Sequence, residues 1–183
     1  MAAAAETFPQ HPQRWTLDEV LALPEDQGQR VELVDGTVVV SPAPGGGHQR
    51  VLHRLQVSVD RAVPTEYELL PGVNVVLNGE RLLIPDLVIT MVPGANTLYF
   101  DAADILLAVE VLSPSSRVYD RALKRQLYAE AAIPFFVIVD PVAEPVSAIA
   151  YEFDGAGYRE TVRSDNGVLK WERPFPVLVD LAR

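Results

Sequence analysis

The residues best suited to chemistry are carboxylates set inside apolar runs. Ile105 to Leu112 reads ILLAVEVL and is apolar except for Glu110. A short, solidly apolar run followed by Ser113-Pro114 predicts a strand buried on both faces. A lone carboxylate there is costly, because desolvation raises its pKa and tends to neutralise it. It needs a metal, a lysine or an arginine beside it, or a place at the mouth of a cleft. Arg81 to Met91, RLLIPDLVITM, holds a second carboxylate, Asp86, directly after Pro85. Proline removes a ladder donor in mid-strand and implies an edge, a bulge or a kink. On a period of two, Asp86, Val88 and Thr90 share one face, and Leu87 and Ile89 the other. Two carboxylates on adjacent strand ends can share a hard cation such as Mg²⁺, which takes oxygen ligands and keeps several waters. Such a cation polarises a phosphoryl oxygen and acidifies a water. A nearby lysine orients that water or stabilises developing charge. Lys124 is the candidate lysine, with Asp120 and Tyr128 four residues to either side. Glu32, on an earlier strand, is a third acidic candidate.

Each of these residues also has a plain structural reading. Glu110 at the wet end of its strand would pair with an arginine. Lys124 would form an exposed helix pair with Asp120, worth about 0.3–0.5 kcal/mol. Glu32 would be a surface strand residue. His48 and His53 are five apart, roughly 140° around a helix, so they cannot jointly bind one metal from it. His48 follows a glycine loop and could face a cleft, but a helix-end or surface position is the better reading.

The elements that must position these residues follow from pattern. Thr16 with Glu19 three residues on is a capping box and predicts a short helix to about Ala22. Arg30 to Val40 places two β-rich runs around Asp35-Gly36, a hairpin signal. Ser41 to Gly47 is a loop whose glycines lack the strand-glycines-lysine context of a phosphate loop. Val51, Leu52, Leu55 and Val59 give helical spacing over His48 to Val63. Tyr67 to Leu77 and Arg81 to Met91, joined by Asn78-Gly79-Glu80, predict a second hairpin, and residues 92–103 a loop. A helix is expected over Arg117 to Ala132, then an apolar strand from Phe135 to Val139. Strand, helix and strand make a βαβ crossover with parallel strands. A third hairpin surrounds Asp154 to Gly157, and a Pro- and Val-rich tail with Trp171 would cover an edge or join a dimer contact.

Composition narrows the class. The 183 residues suggest one domain over 15–183 after a loose segment over 1–14. There is no cysteine, which excludes disulfides, thiolate zinc sites and cysteine nucleophiles and fits a reducing cytoplasm. The N-terminus lacks the features of a secretory signal, and no apolar run approaches transmembrane length. A formal net charge of −10 argues against a broad electrostatic footprint on nucleic acid, though not against a local basic groove.

Pro85-Asp86, then Glu110 inside an apolar strand, then a lysine, is similar to the PD-(D/E)XK nuclease superfamily. More narrowly, the chain resembles the bacterial family called Uma-two. The matching pieces are Glu32-Leu-Val-Asp-Gly36, Ser41-Pro42 with His48 after it, Pro85-Asp86, Glu110-Val-Leu-Ser-Pro114, Asp120, Lys124, Tyr128 and Val139-Asp-Pro141. The resemblance implies an α/β (α+β) restriction-endonuclease-like fold with a central mixed β-sheet flanked by helices. It implies a Mg²⁺- or Mn²⁺-dependent endonuclease acting on DNA, as a homodimer. Asp86 and Glu110 would hold the metal, Lys124 would assist, and Glu32 would position metal or water. His48, Asp120 and Tyr128 would lie beside the site. The chain departs from the superfamily pattern at Leu112, where a lysine is usual, so that Lys124 on the next helix must serve. Leu112 and the charge of −10 also favour a different class, a catalytically inactive binding or assembly module with a partner surface around Trp171. A carboxylate-pair glycosidase would sit in an aromatic-lined cleft, and 8% aromatic residues give that little support.

Overall fold

The structure, a computed structural model, describes residues 13–24, 29–113 and 119–182. Most of the expected N-terminal loose segment, the centre of the polar loop at 25–28 and the start of the expected third helix lie outside them. Arg14, within that segment, donates to the Asp35 carbonyl at 2.6 Å.

Two sheets carry the chain. The first is five-stranded, with β1 (Gln29–Val34), β2 (Thr37–Pro42), β4 (Val75–Asn78), β5 (Arg81–Leu83) and β7 (Phe100–Asp101) in the order β2-β1-β5-β4-β7. Helix α1 (Leu17–Leu21) packs on it and carries the expected Thr16–Glu19 capping box. The β1–β2 turn uses Asp35 and Gly36, with φ of 50° and 77°, the left-handed pair that a two-residue hairpin turn requires. A Cβ on Gly36 would lie 2.5 Å from the Arg14 Nε, so this close approach admits only glycine.

The second sheet is six-stranded and mixed. It contains β3 (Glu68–Pro71), β6 (Leu87–Thr90), β8 (Ile105–Val111), β9 (Phe135–Asp140), β10 (Ser147–Phe153) and β11 (Tyr158–Arg163), in the order β11-β10-β9-β8-β6-β3. As expected, β8 and β9 are parallel and β8 is buried along its whole length. Strand β6 lies antiparallel beside β8 with Leu87 opposite Val109, which brings Asp86 to the level of Glu110.

The expected second hairpin is present but divided between the sheets. Its first arm breaks at Gly72–Asn74 and its second at Ile84–Asp86, so that β4 and β5 pair in one sheet while β3 and β6 join the other. Pro85 accounts for the second break, since it has no N–H to give a ladder. Gly72, with φ of 59°, supplies the bend in the first arm, and its N–H donates to the Asp86 carbonyl at 3.2 Å.

The second sheet has a core on each face. Leu87, Ile89, Leu107, Val109 and Val111 meet the apolar stripe of α2 (Gly46–Asp60), formed by Val51, Leu52, Leu55 and Val59. On the other face Val88, Ala108 and Ile138 pack with Leu127 and Tyr128 of α3 (Arg125–Glu130). The expected helix over Arg117 to Ala132 is thus shorter in its α-helical part: Tyr119–Lys124 is wound as a π-helix and runs into α3. The expected loop at 92–103 contains β7 and leads into a 3₁₀ turn, Ala102–Asp104. No helix among the described residues is long and apolar enough to cross a membrane.

The tail differs from expectation. It forms a third, two-stranded sheet of β12 (Val168–Trp171) and β13 (Val177–Asp180) that packs against α2. Trp171 is 3% exposed in the same core as Leu55 and Val109, so it presents no surface to a partner. Period-two alternation explains this: Val177 and Val179 point inward while Leu178 stays 61% exposed.

If the tail is part of the core, Trp171→Ala lowers stability by about 3–5 kcal/mol, the usual cost of deleting a buried aromatic. Urea denaturation checks this, with Leu178→Ala as a surface control expected within about 0.5 kcal/mol of wild type. Equal effects of the two substitutions would contradict the placement.

Candidate functional site

The corner where the chain leaves one sheet for the other gathers the ionisable residues. Pro85 ends β5, which leaves the Ile84 N–H without a ladder partner. Glu32, on the neighbouring β1, accepts that N–H at 2.9 Å through Oε1. The same oxygen lies 2.8 Å from the Lys124 Nζ. Glu32 is 3% exposed, so the surface-strand reading is overturned.

Lys124 reaches further. Its ammonium also donates to Glu110 Oε1 at 3.0 Å, so one cation bridges two buried carboxylates. The exposed-pair reading of Lys124 fails, since the residue is 4% exposed. The Asp120 side chain lies outside the described residues. Tyr128, on α3, donates its hydroxyl to Glu110 Oε1 at 2.6 Å. Burial pushes the Tyr128 hydroxyl pKa up, and the charges of Glu110 and Glu32 push it further. The phenol therefore stays protonated and remains a donor.

Asp86 is 1% exposed and carries three donors. Its Oδ1 accepts from Arg30 at 2.5 Å, and its Oδ2 accepts from the Val111 N–H at 2.7 Å and lies 3.1 Å from His48 Nε2. Burial pushes its pKa up, but the His48 hydrogen bond, the Arg30 charge and the Val111 N–H together hold it below the usual carboxylate range. Asp86 is therefore ionised, and a carboxylate only accepts, so His48 Nε2 carries the proton that it donates. His48 Nδ1 is buried with no partner among the described residues.

Glu32, Asp86, Glu110, Lys124, His48 and Arg30 line one cavity of about 150 Å³, together with the loop from Ser41 to Gly45 and Ser113. Four residues named for chemistry from the sequence are thus brought together, and Tyr128 joins them from below. One residue was missed and one reading is overturned. His48, a candidate for a place beside the site, is 7% exposed and faces Asp86, so it is not a helix-end or surface histidine. The signal was available: His48 precedes Val51 and Leu52 by three and four residues, which puts it on their apolar stripe. Arg30 was overlooked, although it stands two residues before Glu32 and so on the same face of β1.

The donor set suits a hard cation. Its acidic donors are carboxylate oxygens with no thiolate, and the three carboxylates face Arg30, Lys124 and His48. Among the described residues no three His, Cys, Asp or Glu converge into a ready-made metal cage. Mg²⁺ does not need one, because it binds through one or two carboxylates and keeps its waters. Asp86 and Glu110 are the carboxylates that could hold it.

Two consequences can be measured. Lys124→Met removes the cation between Glu32 and Glu110 and should cost about 3–5 kcal/mol at pH 7, as for one partner of a buried ion pair. Urea denaturation gives the figure, and a loss under 1 kcal/mol would mean the bridge contributes little. The Asp86 pKa is depressed in the folded state, so its contribution is present above the unfolded value near 3.9 and is lost as pH falls through the folded value. The stability gap between wild type and Asp86→Asn should therefore narrow below about pH 4. A gap that widened on acidification would contradict the assignment.

No curated protein matches the chain. Among solved structures, it is similar to a crystal structure titled as a "putative nuclease belonging to DUF820" from Anabaena variabilis, with a TM-score of 0.67 and 19% identity over 87% of this chain and 89% of that one. At that identity the likeness shows a shared fold. The family model described as "Uma2: Putative restriction endonuclease" matches residues 17–182, which take in both sheets and every residue of the cavity. The chain belongs to the Uma2 family.

Proposed function

We propose that the chain is a Mg²⁺- or Mn²⁺-dependent endonuclease that hydrolyses DNA phosphodiester bonds, acting as a cytoplasmic homodimer. The observation that carries the reading is Lys124 Nζ at 3.0 Å from Glu110 Oε1, with Asp86 on the neighbouring strand. The family pattern wants a lysine beside the strand glutamate. Here Leu112 occupies the usual position and is buried in the core, and Lys124 arrives from the next helix. That supports the nuclease reading over an inactive binding module.

A divalent cation held by Asp86 and Glu110 would polarise the phosphoryl group and acidify a water. The chain's own residues prepare the rest. Arg30, His48 and the Val111 N–H keep Asp86 ionised and fixed in orientation, and a metal ligand must be deprotonated. Tyr128 and Lys124 orient Glu110 in the same way. Lys124 would supply an ammonium to the negative charge that grows on the phosphate as the bond breaks. The apolar faces of β6 and β8 exclude bulk water beneath the carboxylates, which strengthens each of these interactions.

The test is cleavage of a plasmid and of a duplex panel with Mg²⁺ or Mn²⁺. Wild type should cut, whereas Asp86→Ala and Glu110→Gln should lose at least 10²-fold while keeping native circular dichroism. Retained cleavage in Asp86→Ala sinks the mechanism. Metal binding without cleavage by wild type would favour the binding module.

A further inference from the structure

The three donors on Asp86 are not equally fixed. The Val111 N–H belongs to β8, a strand buried along its whole length, and His48 is packed on the α2 stripe; both bind Oδ2. Arg30 binds Oδ1 and is its sole partner among the described residues. It comes from the end of β1 that runs past its pairing with β5, which covers only Leu33 and Val34. Its side chain is 29% exposed, against 1% for Asp86. Arg30 is thus the one donor that can leave Asp86 without disturbing a strand or a helix.

Oδ1 is accordingly the oxygen that a hard cation in the cavity can take. A guanidinium and a divalent cation on one carboxylate oxygen repel each other. The guanidinium cannot shed its proton, so once displaced it stays charged and is open to another anion. Glu32 and Glu110 already hold Lys124 between them. The remaining anion of the proposed reaction is the substrate phosphate, whose oxygens match the forked donors of arginine.

We propose that Arg30 and the divalent cation compete for Asp86 Oδ1, and that the displaced guanidinium becomes the donor to a non-bridging oxygen of the substrate phosphodiester. This rests on the metal-dependent nuclease reading. Arg30 is then a positioning residue that couples metal entry to phosphate binding. Metal binds less tightly than the bare carboxylates would allow, and DNA binds more tightly once metal is present.

Isothermal titration with Mn²⁺ alone reads the first half, on wild type, Arg30→Met, Arg30→Lys and Asp86→Asn. Arg30→Met should bind Mn²⁺ at least ten-fold more tightly than wild type, Arg30→Lys should fall between them, and Asp86→Asn should lose binding. Fluorescence anisotropy of a labelled duplex in saturating Ca²⁺ reads the second half, and Arg30→Met should bind it at least ten-fold more weakly. If wild type binds Mn²⁺ through Asp86 and Arg30→Met gains nothing, the competition is overturned while the metal site stands. If duplex affinity is unchanged, the handover is overturned. If neither wild type nor Arg30→Met binds Mn²⁺, the metal-dependent reading falls and this inference with it. Should Arg30→Met fail to fold, Arg30→Lys decides, because it keeps the charge and loses the fork. Duplex binding equal to wild type would then overturn the handover.

Discussion

A carboxylate buried inside a β-sheet persists as an ion only if enough donors surround it. Asp86, at 1% exposure, is the point on which this structure depends. Transfer of an unpaired carboxylate into such a setting would cost several kcal/mol or neutralise it. Three donors from three separate elements prevent that: Arg30 from β1, His48 from α2 and the Val111 N–H from β8. The hydrogen bonds that keep Asp86 charged therefore also tie both sheets and a helix to one corner. Glu110 repeats the arrangement from the other side, with Lys124 and Tyr128 supplied by the π-helical turn and α3.

The corner exists because of backbone chemistry. Pro85 cannot continue a ladder, and Gly72 adopts a φ that other residues resist. Both arms of one hairpin bend at the same level and enter a second sheet. The bend leaves the Ile84 N–H to Glu32, which draws a third carboxylate toward Lys124. Cavity and fold are thus set by the same few residues. A change at Pro85 or Gly72 would disturb the cavity as much as the sheets.

Much of this was legible in the sequence where the signal is local. The parallel β8–β9 pair follows from two solidly apolar runs with a helical segment between them. The two faces of β6 follow from period two, with Val88 in one core and Leu87 and Ile89 in the other. Glu110 stood out because nothing else in its run is polar, and Asp86 because it is the one acidic residue between Arg81 and Met91. What stayed hidden depends on contacts distant in sequence. The sheet change at Pro85 reads as a kink, because the second sheet is assembled from strands far along the chain. Arg30 looks like a solvated strand end until Asp86, 56 residues later, is folded against it. The Pro- and Val-rich tail with Trp171 looked available to a partner, whereas α2 leaves an apolar stripe that β13 covers. His48 at the start of its helix read as a helix-end or surface residue, although its spacing matched that stripe.

The central claim is that Asp86 and Glu110 together bind one divalent cation. Crystals soaked in Mn²⁺, with anomalous diffraction collected near the manganese edge, test it directly. The account predicts a single strong peak within about 2.0–2.6 Å of a carboxylate oxygen of each residue, the range for oxygen-bound hard cations, with Arg30 moved off Oδ1. A peak elsewhere, or none at millimolar Mn²⁺ with Arg30 still on Asp86, would contradict it.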